Sequence, residues 1–277
     1  VTHSRTHEVT TDDAVTIRAT VEGSGPSLVL LQGVMGDGDL DWRSLLPHLT
    51  DCFTCHLPSM RGRGRSDTHP NLRIDRVGRD YATYVESLGE PTRLVGWSAG
   101  AGHALSLSAR LDAVVATALY EPLVSSLMDQ DERQDLMQAL AQGQALVQDG
   151  DLAGAMRAFA AHPFTQADLA AADDVGYFEA AGAYSPHVLE VFRQVSTYDG
   201  PRPEDPETLG AITSPLLVLH GAETGPFFTQ CARHVVAHLA VARIHAVPGA
   251  GHAGPLTHPR AVAEELRGFF DAVDARG

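Results

Sequence analysis

The hydrophobic positions of this chain repeat in two rhythms. Residues 15–21 alternate apolar and polar side chains and run into Glu22-Gly23-Ser24-Gly25-Pro26, the pattern of an edge strand closed by a turn. Segments 27–31, 53–57, 93–97, 113–120 and 216–220 differ, each being a short and nearly continuous apolar run, as strands covered on both faces require. A last apolar run spans 244–247. Between these runs the period lengthens to that of a helix, as in 75–88, where Val77, Tyr81, Tyr84, Val85 and Leu88 share one stripe, and again in 260–275. Strands alternating with helices predict an α/β fold, an open and mostly parallel sheet flanked by helices.

The alternation stops between Pro122 and Pro206. There the chain is rich in Ala, Leu and Gln, reads as helix, and holds no strand pattern. So long a stretch is not a bare loop in a compact domain. The expectation is a core made of 1–121 and 207–277, with 122–206 inserted as a helical cap. Phe159, Phe164, Tyr177, Phe178 and Phe192 would form either an apolar roof or the cap's own core. No internal repeat or low-complexity tract interrupts the chain.

Composition narrows the chemistry. At 277 residues the chain is within reach of one large domain carrying an insertion. Its formal charge of −15 makes nucleic acid or an anionic membrane an unfavourable partner. Every one of the 20 basic residues is arginine. The absence of lysine excludes Schiff-base and pyridoxal enzymes and the phosphate-binding P-loop, all of which need that amine. Residues 1–8 lack the apolar run of a signal peptide and no stretch approaches the ~20 apolar residues of a membrane span, so the expected location is cytoplasmic.

Three cysteines, an odd number, fit reduced thiols. Cys52-Phe53-Thr54-Cys55-His56 matches the spacing of covalent haem attachment, but residues three apart on an extended strand face opposite ways, so the better reading is a pair of buried or half-buried thiols. No set of His, Cys, Asp or Glu has metal-ligand spacing. Neither a metal nor an organic cofactor is implied.

One pentapeptide stands out. Gly96-Trp97-Ser98-Ala99-Gly100 ends the apolar strand 93–97 and opens a helical pattern through Leu105 and Leu107. GxSxG at a strand-to-helix turn holds a serine on a sharp, strained bend, with glycines where a side chain would clash. The amides and positive dipole end of the following helix suit an oxyanion. Serine is a poor nucleophile at neutral pH without an imidazole to take its proton.

The chain has 14 histidines. His252 is singled out because Gly249-Ala250-Gly251-His252 follows the strand at 244–247 and precedes the last helix, so that a glycine-rich loop brings it beside the serine. His3, His7, His48, His56, His69, His162, His187, His234 and His238 lie in polar or helical surroundings and are expected to be solvated. His103 reads as a packed helix residue, while His220 and His258 fall close to the site without a role.

At these residues the chain resembles the α/β-hydrolase superfamily over nearly all its length. Gln32-Gly33-Val34-Met35 stands where that superfamily has His-Gly followed by oxyanion-binding residues, and Arg61-Gly62-Arg63-Gly64-Arg65-Ser66 is similar to its RGxGxS loop. The resemblance implies an oxyanion hole made by the amides of Ala99 and of Val34 or Gly33. The arginine run itself is expected to be a solvated loop with internal hydrogen bonds.

The acid departs from the pattern. Gly221-Ala222-Glu223-Thr224 has threonine where the superfamily places aspartate. Two carboxylates can orient the imidazole. Glu121 ends the strand 113–120, next to the nucleophile strand, and its extra methylene lets it reach across; Glu223 is one residue short of the usual position. A subset of the superfamily that includes the zearalenone lactone hydrolases takes its acid from the place of Glu121, in a pattern similar to Tyr120-Glu121-Pro122.

The expected reaction is therefore acyl transfer from an ester or lactone with an apolar portion to water, with Ser98, His252 and Glu121 as the triad. Met35 and Trp97 would line the acyl pocket or pack in the core. The partner is the small-molecule ester or lactone; a homodimer is left open. Two alternatives stand beside this reading. One is a cofactor-free oxygenase, perhydrolase or lyase on the same fold, and the other a non-catalytic ligand-binding protein on a hydrolase scaffold.

Overall fold

The computed structural model describes residues 4–275. The segments 1–3 and 276–277 lie outside it, and with them His3. Eight strands form one sheet: β1 (Arg5–Thr10), β2 (Thr16–Gly23), β3 (Ser27–Leu31), β4 (Thr54–Pro58), β5 (Thr92–Trp97), β6 (Val114–Tyr120), β7 (Leu216–Gly221) and β8 (Ala242–Val247). Their order across the sheet is β1-β2-β4-β3-β5-β6-β7-β8. The pairs β1/β2 and β2/β4 are antiparallel; every other pair is parallel.

The edge on that side is β1, not β2. The polar sequence Arg5–Thr10 is paired residue for residue with β2, so the segment 16–23 lies inside the sheet. Its alternation reflects a half-covered face, which an interior antiparallel strand shares with an edge strand.

The apolar runs of β3 to β7 are buried on both faces, as their composition requires, whereas in β8 the run 244–247 is exposed at Ile244 and buried only at Val247. In β3 the odd and even positions part company: Leu28 and Leu30 enter one core with Trp42, Val95, Trp97 and Leu219, whereas Val29 and Leu31 enter the other with Tyr81, Leu94, Leu105 and Val218. Helices cover both. After β3 comes the short α1 (Gly38–Trp42), after β4 comes α2 (Ile74–Glu86), and after β5 comes α3 (Ala99–Ser108). Helix α2 buries Val77, Tyr81, Tyr84 and Val85, the stripe read from its periodicity.

Between β6 and β7 the described chain is helical throughout its ordered elements: α4 (Gln130–Asp149), α5 (Leu152–Ala160), α6 (Gln166–Asp174), α7 (Tyr177–Ala181), α8 (Ser185–Ser196) and α9 (Pro206–Gly210). Helix α10 (Pro226–Ala237) follows β7, and α11 (Gly254–Thr257) and α12 (Pro259–Asp274) close the chain. No helix among the described residues is long and apolar enough to cross a membrane.

The arginine loop is the largest departure from expectation. Arg61 and Arg63 are fully buried rather than solvated. Arg61 is neutralised by two carboxylates distant in sequence, its Nε and Nη2 donating to Asp80 at 2.6 and 2.8 Å and its Nη1 to Asp13 at 3.0 Å. Guanidinium groups tolerate burial only when their charge and donors are met in this way. Arg65 alone behaves as a surface side chain. His56 is likewise buried and not solvated: its Nδ1 lies 2.9 Å from the Tyr84 hydroxyl, and burial lowers its pKa to about 4. Cys55 is fully buried in β4, while Cys52 sits half-buried in the turn before it.

Candidate active site

Strands β5 and β6 run in register so that Trp97 pairs with Tyr120, and the chain bends sharply just beyond both. Ser98 has φ +54° and Glu121 φ +48°, a left-handed conformation that costs a non-glycine residue of order 1 kcal/mol or more and persists where the surroundings over-determine it. The two bends are tied together, Ser98 N–H donating to Tyr120 O at 2.9 Å. Helix α3 starts immediately after Ser98. The flanking glycines are obligatory, because a Cβ on Gly96 would lie 2.5 Å from Gly100 O, and one on Gly100 would lie 2.2 Å from Leu31 O.

Glu121 is wholly buried and fully engaged. Its Oε1 accepts from Gly221 N–H at 2.7 Å; its Oε2 accepts from the Thr224 hydroxyl at 3.0 Å and lies 2.6 Å from His252 Nδ1. A carboxylate can only accept, so Nδ1 carries the hydrogen and Nε2 keeps its lone pair for another group. Thr224, whose position the superfamily resemblance assigned to an aspartate, instead donates to the Glu121 carboxylate at the end of β6. Glu223 is exposed and is not brought to His252, its amide bonding instead to Ala250 O at 2.9 Å.

The His252 loop is pinned at two consecutive carbonyls. Tyr120 Oη donates to Gly251 O at 2.7 Å and Trp97 Nε1 to His252 O at 2.9 Å. Trp97 therefore holds the histidine loop as well as bordering the cavity. Gly251 is needed because Asp168 on α6 would lie 2.1 Å from a Cβ there. The Phe228 ring on α10 lies over the imidazole at a centroid distance of 4.2 Å and a tilt of 34°. Nothing in the sequence singled out Phe228, and Thr224 was marked only as a departure from the superfamily's aspartate, since each acts on a residue far away in the chain.

Ser98 and His252 line one cavity of about 190 Å³. Among the described residues the Ser98 hydroxyl makes no hydrogen bond, and His252 bonds to Glu121 alone through its ring; in ligand-free enzymes the serine–histidine contact is often long and tightens with substrate. Val34, Met35, Trp97 and Ala99 border the same cavity. So does Gly33, but its amide already donates to Asp41 Oδ2 at 2.8 Å and is not free for an oxyanion. Among the described residues the Val34 amide has no acceptor, and Ala99, as first residue of its helix, has none within that helix.

The remaining wall is mostly apolar, with Leu72, Val77, Leu123, Phe159 and Phe192 among its residues. A few polar groups interrupt it. His103 is buried against the edge of Tyr81, and burial lowers its pKa to about 4. Ser125 Oγ donates to Glu204 Oε1 at 2.8 Å. His162 borders the cavity too, with Nε2 3.2 Å from Glu132 Oε2, contrary to its expected solvation. His187 is half-buried and accepts from Arg63 Nε at 2.7 Å, also contrary to expectation. His220 and His258 do not reach the cavity; their ring nitrogens bond to Gly221 O and to the Thr257 hydroxyl.

Of the aromatic residues between β6 and β7, Phe159, Tyr177 and Phe192 border the cavity, whereas Phe164 and Phe178 pack beside it. Among the described residues no group of three or more His, Cys, Asp or Glu is placed to hold a metal ion.

Comparison with known proteins bears on the family and the fold. A characterised relative, pyrrolizixenacetamide deacetylase of Xenorhabdus hominickii, is 32% identical over 91 residues, 32% of this chain and 34% of that protein, so the match spans about a third of the relative's length. Among solved structures, an esterase from Rhodococcus sp. ECU1013 superimposes with a TM-score of 0.77 at 21% identity, covering 97% of this chain and 99% of that one. Est816, an N-acyl homoserine lactone degrading enzyme, gives a TM-score of 0.74 at 20% identity, with 95% and 100% covered. These likenesses speak to the fold. The alpha/beta hydrolase family model matches residues 28–265, the span from β3 into α12 that holds Ser98, Glu121 and His252; the chain belongs to the alpha/beta hydrolase family.

Proposed function

We propose that this protein is a serine hydrolase that cleaves a carboxylic ester or lactone with an apolar portion through an acyl-enzyme on Ser98. The observation that carries the reading is the joining of three things in one place: a serine on a left-handed bend, an imidazole whose Nδ1–H is fixed by Glu121, and a mostly apolar cavity that both border.

In this mechanism His252 Nε2 takes the hydroxyl proton as Ser98 Oγ attacks the carbonyl carbon. The oxyanion is held by the amides of Val34 and Ala99, each such donor being worth roughly 10²–10³ in rate. His252 then gives the proton to the leaving oxygen, which departs as an alcohol, or stays tethered as the hydroxyl of an opened lactone. Water, deprotonated by the same imidazole, hydrolyses the acyl-enzyme and restores Ser98. Glu121 orients the ring and stabilises its charged form without itself accepting the proton.

The acid at the end of β6 is the feature that likens the site to the zearalenone lactone hydrolases. The helical segment 122–206 is read as a cap over the core 1–121 and 207–277, and the apolar wall it helps to build favours an apolar acyl or alcohol part. The esterase and lactone-degrading neighbours support the same bond class. Three free thiols among the described residues suit a reducing compartment such as the cytoplasm.

The test is labelling with a fluorophosphonate, which forms a covalent bond to an activated serine, alongside release of p-nitrophenol from short acyl esters. Label on Ser98 in the wild type and none in Ser98→Ala, with ester turnover lost in parallel, is the expected result. Oxygen- or peroxide-dependent turnover would point to the oxygenase or perhydrolase alternative. Ligand binding without turnover, unchanged by Ser98→Ala, would point to a binding protein.

A further inference from the structure

Resting on the reading just given, we propose that Asp41 is a positioning residue for the oxyanion loop, and that the Tyr177 hydroxyl, reaching in from the helical segment above, completes that positioning.

The loop joining β3 to α1 is held by its Gly33 amide and by the carbonyls of residues 34–36. Gly33 N–H donates to Asp41 Oδ2 at 2.8 Å. The carbonyls of Val34, Met35 and Gly36 are all taken by the buried Arg63 guanidinium, at 2.9, 2.8 and 2.9 Å. Gln32 Nε2 donates to Gly36 O at 2.7 Å while its Oε1 accepts from Met60 N–H at 2.8 Å. With these groups turned inward, Val34 borders the cavity with an amide that, like those of Met35, Gly36 and Asp37, has no acceptor among the described residues. Asp41 approaches so closely that a Cβ on Gly36 would stand 1.8 Å from its Oδ1, so any residue but glycine there would displace the carboxylate.

Tyr177 on α7 donates to Asp41 Oδ1 at 2.8 Å. Two further bonds join the same surfaces. Tyr184 Oη donates to Asp37 Oδ2 at 2.6 Å, and His187 on α8 accepts from Arg63 Nε at 2.7 Å. The helical segment therefore touches the loop through its polar framework and not by apolar packing alone.

A purely structural role would not need a charge here. Asp41 is wholly buried on the cavity wall, and Arg63 spends its donors on carbonyls and His187 and none on this carboxylate. Burying an acid in this way is costly, and a neutral or apolar residue would pack at less expense. Burial raises the Asp41 pKa to about 7, against the lowering effect of the Tyr177 hydrogen bond. The groups facing it are Tyr177 from α7, Asp37 from the turn before α1, Arg63 from the loop after β4 and Tyr81 from α2. Ionised Asp41 accepts from Gly33 and Tyr177 together; on protonation one oxygen becomes a donor and the pair of bonds cannot be kept as they are.

The experiment compares Tyr177→Phe and Asp41→Asn with wild type in three measurements: kcat and KM on a p-nitrophenyl ester, affinity for a boronic acid that mimics the tetrahedral intermediate, and fluorophosphonate labelling of Ser98. A misplaced oxyanion donor is expected to lower kcat by about 10- to 100-fold and weaken the boronic acid by a similar factor, while KM stays within about threefold. Tyr177→Phe removes a donor that favours the ionised acid, so the acid limb of its kcat–pH profile is expected to move to higher pH. An unchanged kcat and boronic acid affinity in Tyr177→Phe, or a loss confined to KM or to thermal stability, overturns the proposal. If Tyr177→Phe does not fold, Asp41→Asn decides by the same criteria. Failure of the wild type to take the fluorophosphonate on Ser98 instead defeats the hydrolase reading beneath it, so the two failures are told apart.

Discussion

Thr224 donates its hydroxyl to the same Glu121 oxygen that holds His252. On the proposed reading, the residue at the position the resemblance gives to the acid is instead a hydrogen-bond donor to the acid supplied by the neighbouring strand. The site thus keeps its carboxylate in place from two strands at once, Glu121 from the end of β6 and Gly221 N–H and Thr224 from the end of β7.

Removing the acid's charge should disable turnover. Glu121→Gln is expected to lower kcat by about 10³–10⁴, as an acid-to-amide change does in a serine triad, whereas Glu223→Gln, on an exposed side chain, should stay within about threefold. Steady-state ester hydrolysis by the two variants checks this; comparable losses in both would reject the assignment.

The relay between Thr224 and Glu121 is separable from the acid itself. Thr224→Val deletes one hydrogen bond to a charged group, worth about 1.5–3 kcal/mol, and is expected to cost about tenfold in kcat/KM. In the double variant Glu121→Gln with Thr224→Asp, the carboxylate returns to β7 and part of the lost activity should come back. A double variant no faster than Glu121→Gln would mean that the loop cannot present an acid from that position.

Stability should depend on pH through Asp41. Its pKa rises on folding to about 7 from an unfolded value near 3.8, so the folded state holds an extra proton between those values. Its contribution is greatest below pH ~4 and declines as pH rises to ~7, by up to roughly 4 kcal/mol if no other group compensates. Asp41→Asn should abolish that decline, leaving a protein at least as stable as wild type at pH 8 and yet slower. Urea melts of both proteins from pH 5 to 8 measure it; parallel slopes would count against the burial of a titrating acid.

The elbow tolerates no side chain beneath it. Gly100→Ala would place a methyl 2.2 Å from a backbone oxygen of β3, an overlap that backbone atoms cannot relieve by rotation. The expected loss is on the order of 3 kcal/mol, seen as a lower melting temperature or insoluble expression. A melting temperature within a degree or two of wild type would show that the turn is more yielding than its contacts imply.

The sheet was legible in the sequence because strands buried on both faces leave little freedom in composition: Ser27–Leu31 is buried throughout and apolar at every position but Ser27, whose hydroxyl bonds to Glu90. The strand β1 escaped notice for the opposite reason. Its side chains are largely exposed, and what defines it is pairing with β2, which composition does not record. The residues of the elbow and of the histidine loop could be picked out because glycines mark both bends. Arg61, Arg63 and Asp41 could not be read as buried, since what makes burial tolerable for each is a partner far off in the chain: Asp80 for the first, the carbonyls of 34–36 for the second, Tyr177 for the third. Charge on a loop reads as solvated until such partners are known. Phe228 shows the same limit for an apolar group, a helix residue whose consequence lies in covering an imidazole at the other end of a loop.

The paired left-handed bends at Ser98 and Glu121 also bear on how such a molecule can be re-engineered. Ser98 and Glu121, the proposed nucleophile and acid, follow adjacent parallel strands, whose separation is the sheet's own hydrogen-bond repeat of about 4.8 Å. That spacing is a property of the scaffold and owes nothing to whatever roofs it. On the proposed reading, a designer replacing the helical segment 122–206 to change substrate choice would keep Ser98, Glu121 and His252 in place, but the graft would have to restore the bonds that Tyr177, Tyr184 and His187 now make to Asp41, Asp37 and Arg63.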